Sequence, residues 1–480
     1  MVVNKLTKIS KKLKRRDTII LILILILACI LSIYHHISYP YPFHVDEWYH
    51  IARAKQIAFG SSIDWYFGTN FTIGIELAWH YMLAIIYFIF RPDIQQWIFF
   101  PSIVHFFSII TSYVFILKLL GKKEALVTSL LVALLPTNNT MGGPVFLAPI
   151  NLSLVFIPLG LLFGFNLLKI KKYFNYIFLF LILLFLLYSH PPSAIPLLLI
   201  LSFYFIFNLF SKDTYLKNDA KYLFITIISA IICSIPNFLS EFLTRNLESI
   251  TFNFWIQLQG IVLLYGIIPS LIFVLGFYLL SKQFDRRIWA ILLTSIVLIL
   301  NIIFFDYSGV SYLLPYQRTH IPLFLVISFI GSYGYVELMK LKKPKNIGFL
   351  IFIVVIIGTI AISIPRNLET EYYHIIDDND YDSFLWIKEN TASDIVVLSD
   401  PWKARALAPV AERRVYAVMP FGPNVEQMNL VFNANAFLNT NCTNTSFLID
   451  NHIDIVYTTQ PCNNANLTEV YLNTYLFKQE

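Results

Sequence analysis

Charge is scarce in this 480-residue chain. Asp, Glu, Lys and Arg make up 13% of it, where a soluble domain carries about 25%. That shortage excludes an ordinary water-soluble globular protein. Cysteine is scarcer still, at four residues, and no Cys/His cluster has zinc-finger spacing. No Gly-x-x-x-x-Gly-Lys-Ser/Thr loop occurs, so no ATP motor is expected, and no Gly-x-Ser-x-Gly elbow marks a serine hydrolase. What fills the chain is apolar. Hydrophobic residues reach 57%, with 43 Phe and 28 Tyr, as suits segments facing lipid and its interface.

The sparse charge is placed with a pattern. The first 17 residues hold seven Lys/Arg ahead of an apolar run from Thr18 to Ile37. That run is long enough to span the hydrocarbon core, and no small-residue cleavage site follows it. It reads as an uncleaved anchor with a cytosolic N-terminus. Further apolar runs fall at 98–117, 124–136, 145–168, 174–189, 194–210, 222–238, 255–280, 288–304, 320–339 and 347–364. Together they predict a polytopic α-helical membrane protein of about 11 spans. Alternate loops carry Lys118/Lys122/Lys123, Lys169/Lys171/Lys172, Lys212/Lys217/Lys221, Lys282/Arg286/Arg287 and Lys340/Lys342/Lys343/Lys345, while those between hold almost no Lys or Arg. Basic loops stay on the cytosolic side. The rule therefore puts the C-terminal segment outside, and the plasma membrane is the expected location. The stretch 71–90 would invert this order if it crossed. It contains Glu76 and His80, and it reads as an interfacial or re-entrant helix within a long first outer loop, about 38–97.

Two domains are expected: 1–364 in the membrane, and 365–480 as a small extracytoplasmic α/β domain. The second holds 15 of the 29 acidic residues and seven Lys/Arg. Helix-like and strand-like segments alternate in it as far as HIDIVYTT, which suggests a mostly parallel sheet. Cys442 and Cys462 lie 20 apart there, and an extracytoplasmic setting would let them form a disulfide. Cys29 and Cys233 lie in apolar runs and read as packing residues. Sequons occur at Asn70, Asn138, Asn441, Asn444 and Asn466, with a sixth at Asn151 inside a span.

The leading site for chemistry is Asp46-Glu47 in FHVDEWYHIARAKQI, flanked by His44 and His50. The segment 45–59 reads as an amphipathic helix with Trp48, Ile51, Ile57 and Phe59 partly toward lipid. A carboxylate at a bilayer surface suits general-base work. An acidic pair that merely opens a helix explains it as well. Arg318, beside His320 in an outer loop otherwise poor in basic residues, fits a phosphate contact or an Arg reaching for headgroups. Glu76 and His80 stand four apart on one helical face, as cavity-lining groups or a polar stripe. His190 and the loop charges Glu241, Arg245 and Glu248 read as structural.

With VDEW, the interfacial segment 71–90 and the turns TMGGPVFLAP and YQRTHIP, the chain resembles the GT-C superfamily of membrane glycosyltransferases. That superfamily includes protein O-mannosyltransferases, aminoarabinose transferases and oligosaccharyltransferase catalytic subunits. The tail DSFLWIKENTASDIVVLSDPWKARALAPVAERRVYA is similar to the segment after the last span in many prokaryotic members. The resemblance implies a donor sugar on a polyprenyl phosphate or diphosphate and a lipid, glycan or protein acceptor, with membrane lipids around it and no nucleic acid. Asp46 would be the general base with Glu47 assisting, and Arg318 would face the donor phosphate. His320, His44, His50, Glu76 and His80 would line the substrate site. A divalent metal ion is the one cofactor it suggests, with no ligands assigned. The WWDYG-type and HPPL-like motifs of two branches do not occur, so the resemblance leaves the acceptor open. The competing reading is a non-enzymatic transporter, flippase or assembly protein for lipid-linked glycans. A transporter should show internal repeats and charges at mid-membrane, and the sequence has neither.

Overall fold

The computed structural model describes residues 15–68, 71, 74, 76–137, 143–168, 170–242, 266–310, 313–340, 350, 354, 357, 374–420 and 425–478. The last apolar run, 347–364, lies outside the described residues apart from three positions. So do the loop carrying Arg245 and Glu248, the first part of the 255–280 run, and the sequons at Asn70 and Asn138. The chain divides into two compact units, Met1–Ser38 with Phe99–Pro365, and Tyr39–Ile98 with Arg366–Glu480.

The helices of the first unit are α1 (Arg15–Ile33) and, beyond the excursion of 39–98, nine more among the described residues, which the second unit's α2 (Val45–Phe59) and α3 (Leu77–Phe90) precede in the chain. They are α4 (Phe99–Leu119), α5 (Lys122–Ala133), α6 (Leu152–Gly164), α7 (Lys172–Ser189), α8 (Pro191–Leu209), α9 (Thr214–Phe242), α10 (Ile267–Ser281), α11 (Arg286–Ser308) and α12 (Tyr316–Lys340). Among the described residues, seven helices are long and apolar enough to cross a membrane. They match the expected runs beginning at 18, 98, 174, 194, 222, 288 and 320. Helices α5, α6 and α10 have 12, 13 and 15 residues, short of the roughly 20 that a full crossing needs. The sequence Leu-Leu-Pro-Thr at 134–137 accounts for the early end of α5, because a residue before proline disfavours helix. Helix α1 buries Ile24, Ala28 and Ser32, one residue per turn, and leaves Ile19, Leu23, Ile26 and Ile30 exposed. A narrow buried stripe on an otherwise apolar helix is what a lipid-facing position requires.

Helices α10 and α12 meet through glycine. A Cβ on Gly334 would stand 2.5 Å from the Ile272 carbonyl oxygen and 2.6 Å from the Gly276 nitrogen. These obstacles are backbone and do not swing aside. Small residues allow such close approach in membrane helices. Gly334→Ala is expected to force the pair apart and to destabilise the protein by about 1–3 kcal/mol. A thermal midpoint in detergent that matches the parent would contradict the packing.

In the second unit, α2 and α3 join a small α/β fold. Its elements are α13 (Asp378–Asn390), β1 (Val396–Leu398), α14 (Ala404–Leu407) running into a π-helical turn at Ala408–Glu412, β2 (Arg414–Val415), α15 (Val425–Asn439), α16 (Thr445–Asp450), β3 (Ile455–Tyr457), β4 (Leu467–Tyr471) and β5 (Thr474–Phe477). The sheet order is β2-β1-β3-β5-β4. Strands β2, β1 and β3 are parallel, and β5 and β4 close the sheet antiparallel. Strands β1 and β3 are buried at every position, as central parallel strands are. The terminal hairpin is an addition to the expected mostly parallel sheet. Cys442 and Cys462 form a disulfide, and Cys442 lies in the hydrophobic core behind the sheet.

Residues 39–98 are built into this fold. The Val415 amide donates to the Trp65 carbonyl at 2.8 Å, so the first loop covers the edge strand β2. The Tyr66 hydroxyl donates to the Arg405 carbonyl at 2.9 Å, and the Tyr41 hydroxyl to Asp378 at 2.7 Å. Lys55 donates to the Pro409 carbonyl at 2.8 Å and to Glu412 at 3.1 Å, and Lys388 reaches the same Glu412 oxygen at 2.8 Å. Burial pushes the Lys55 ammonium down from its usual range, and the Glu412 charge opposes that shift. Removing the charge that compensates a buried cation is costly. Glu412→Gln is expected to lower stability by about 1–3 kcal/mol, with Glu412→Asp intermediate. Equal unfolding midpoints for Glu412→Gln and the parent would remove the clamp.

Candidate functional site

The candidate site is built on α2. The chain enters from Pro40 and Pro42, and the helix opens with a capping box at His44 and Glu47. The Asp46 amide donates to His44 Nδ1 at 3.1 Å, and Glu47 Oε2 accepts from the His44 amide at 2.7 Å. Helix α2 closes at Gly60, whose φ of 65° is left-handed and favours glycine. The box divides the acidic pair. Glu47 is buried and holds the helix start, while Asp46 is half-buried and stands 3.5 Å from His44 Nδ1. Negative charge is favoured at such an N-terminus. Trp48 and Ile51, expected to turn partly toward lipid, are instead fully buried, because elements of the same unit wrap the helix; Phe59 is 55% exposed.

Positions 46, 49, 50 and 53 follow helical spacing along one face. Arg53 pairs with Asp64 at 2.7 Å, and its guanidinium lies over the Tyr49 and Phe71 rings, each centroid 4.9 Å away. Burial is the first influence on Arg53 and opposes its charge, but Tyr49 and Asp64 outweigh it and hold the guanidinium above its usual range. His50 faces α3. Its Nδ1 lies 3.0 Å from His80 Nε2 and 3.6 Å from Glu76 Oε2, and Glu76 Oε2 is 3.9 Å from His80 Nε2. Helix α3 brings Glu76 and His80 together by their four-residue spacing. It is 14 residues long, about 21 Å, too short for a hydrocarbon core of about 30 Å.

Two imidazoles and a carboxylate form a donor set that binds zinc and related ions. The three separations of 3.0, 3.6 and 3.9 Å share a centre about 2.1 Å from each atom, which is the length of a zinc–nitrogen or zinc–oxygen bond. Burial, with the Arg53 charge adding to it, pushes the His80 imidazole down to about 3. His80 is therefore neutral near pH 7 and has a lone pair to give. The residues present fit a divalent ion.

The other sequence-selected residues belong to the membrane unit. Arg318 is half-buried in the first turn of α12 and His320 is buried two residues on. Asn301 fixes that turn by donating to the Leu314 carbonyl at 3.0 Å and to Thr319 Oγ1 at 2.9 Å. His190 Nδ1 lies 2.7 Å from Ser193 Oγ at the start of α8. The sequence reading set His50, Glu76 and His80 along one substrate site but did not make them a set of metal ligands, because 26 residues and a change of helix separate the first two. It missed Arg53–Asp64 altogether; the only signal was two opposite charges among the eight that residues 38–97 hold.

No family profile and no curated protein matches the chain. Solved structures do. An archaeal oligosaccharyltransferase, AglB from Archaeoglobus fulgidus in complex with an inhibitory peptide and a dolichol-phosphate, aligns at TM-score 0.60 and 14% identity. That alignment covers 92% of this chain and 69% of that one. The Archaeoglobus fulgidus oligosaccharyltransferase in complex with Zn and sulfate aligns at 0.57 and 14%, over 90% and 67%. ArnT from Cupriavidus metallidurans bound to undecaprenyl phosphate aligns at 0.57 and 10%, over 87% of each chain. At these identities the likeness establishes the fold, which is that of the GT-C membrane glycosyltransferases.

Proposed function

We propose that the chain is a GT-C-type glycosyltransferase that moves a sugar from a polyprenyl phosphate or diphosphate to an acceptor at the outer face of the membrane. The observation that carries this is the division of labour on α2: Glu47 is spent on the cap, and Asp46 is left half-exposed beside a donor set fit for a metal ion. Asp46 takes the proton from the acceptor nucleophile as that atom attacks the anomeric carbon. The bond from that carbon to the carrier oxygen breaks in the same displacement, which inverts the centre. His50, Glu76 and His80 would hold a divalent ion, which supplies positive charge for anionic oxygens when bound. Arg318 offers a planar fork of donors to a phosphate. The alternation of basic loops supports a cytosolic N-terminus and an outer location for residues 365–480; the membrane we assign is the plasma membrane. The carriers recorded with the structural neighbours, dolichol-phosphate and undecaprenyl phosphate, favour a polyprenyl donor. The acceptor class stays as the sequence leaves it: lipid, glycan or protein.

Deleting the gene in its host tests this reading. Lipid extracts of the deletion strain are expected to accumulate a polyprenyl-linked sugar, while one glycan disappears from the cell surface. Unchanged donor lipids and unchanged surface glycans would contradict it.

A further inference from the structure

Six sequons are spread along the chain, and the fold sorts those it describes. Asn151 is excluded. It is buried, and its carboxamide nitrogen is committed at 2.7 Å to both the Gly143 and Phe146 carbonyls. Asn466 is half-buried and immediately precedes β4. Its amide donates to Asn464 at 3.0 Å, and its carbonyl accepts from the Lys478 amide at 2.9 Å. Its sequon neighbour Leu467 packs against the core of the domain.

Asn441 and Asn444 differ from these two. Both are exposed, and so are their sequon partners Thr443 and Ser446. Asn441 sits at φ 53° on the turn that follows α15, and Asn444 caps α16 through its oxygen, which accepts from the Phe447 amide at 3.2 Å. The cap uses the carboxamide oxygen, not the nitrogen that a glycan would take. The turn is held from behind. Cys442 is bonded to Cys462, Asn464 donates to the Cys442 carbonyl at 2.8 Å, and Asn463 donates to the Asn441 carbonyl at 2.8 Å. A disulfide persists in the oxidising compartments where asparagine glycosylation takes place.

We infer that this disulfide-backed turn is itself a glycosylation site, modified at Asn441 or Asn444 by the host's asparagine-linked glycan transferase. In the step, the carboxamide nitrogen bonds to the anomeric carbon of a lipid-linked glycan and loses one proton. The bond from that carbon to the carrier phosphate breaks, and the carrier leaves with the electron pair. A glycan there stands on an exposed turn, so it disturbs no core packing. The inference rests on the outer location of residues 365–480 proposed above and not on the transfer activity.

The test is peptide mass spectrometry on the full-length protein purified from its own host's membranes. The peptide carrying Asn441 and Asn444 is expected at a glycan-shifted mass, and the Asn151 peptide at its unmodified mass. The double variant Asn441→Gln/Asn444→Gln is expected to migrate faster on a denaturing gel, and Asn151→Gln unchanged. Recovery of the 441–444 peptide only at its unmodified mass would overturn the inference. A Glu426→Cys variant, on the exposed start of α15, then separates the causes when intact cells meet a membrane-impermeant maleimide. Labelling without a glycan sinks the glycosylation site alone, and no labelling sinks the outer location with it.

Discussion

Asp46→Asn is expected to slow sugar transfer by about 100- to 10,000-fold, the range for losing a positioned general base. Asparagine keeps the size and loses the proton acceptor. The substitution should leave the fold alone, because Asp46 contributes its backbone amide to the helix cap at 3.1 Å, and that amide survives. Expression and thermal midpoint are therefore expected to match the parent. Glu47→Ala gives the opposite signature. Its carboxylate accepts from the His44 amide in a buried setting, so its loss should cost about 0.5–2 kcal/mol of stability. Its effect on the rate should be the smaller of the two. Parent-like transfer by Asp46→Asn would remove the proposed base.

His80→Ala is expected to abolish zinc retention. Parent protein dialysed against zinc and then desalted should carry about one ion per chain, bound by two imidazoles and one carboxylate. The variant keeps only His50 and Glu76 of the described cluster, and two ligands do not hold zinc through desalting. His50→Ala should behave alike, and Asp46→Asn should keep its metal, since Asp46 is outside the donor set. Elemental analysis reads all four proteins without an activity assay. A parent protein that leaves zinc dialysis and desalting free of zinc would contradict the site.

How much of this was legible in the sequence depended on the distance over which each feature is encoded. The long spans were readable because a membrane helix carries its own signal in one run, and α1 is the clearest case. Helix α13 and strands β1 and β3 were readable for the same reason: YDSFLWIKENT carries a helical pattern in one run, and Val396–Leu398 is an unbroken apolar triplet. The hairpin of β4 and β5 was missed although its signal is local. Leu467–Phe477 alternates around Asn473, which takes φ 55° at the turn, but its outward side chains made it look like loop. The Lys55–Glu412 contact spans 357 residues, and no local pattern announces it. The same holds for the loop 39–98, which folds with 366–480 although 267 residues lie between them in the chain. The candidate site was half legible. Asp46-Glu47 stood out as a motif, but only the capping bonds tell the two carboxylates apart. His50, Glu76 and His80 became one donor set only when α2 and α3 were laid side by side.

The most direct measurement of the central claim is transfer itself. Zinc-loaded protein would be incubated with a polyprenyl phosphate carrying a radiolabelled sugar and with membranes from the deletion strain. The account predicts that label leaves the carrier for a new product and that free polyprenyl phosphate appears in equal amount. Label that stays on the carrier, with zinc bound and deletion-strain membranes present, would contradict it.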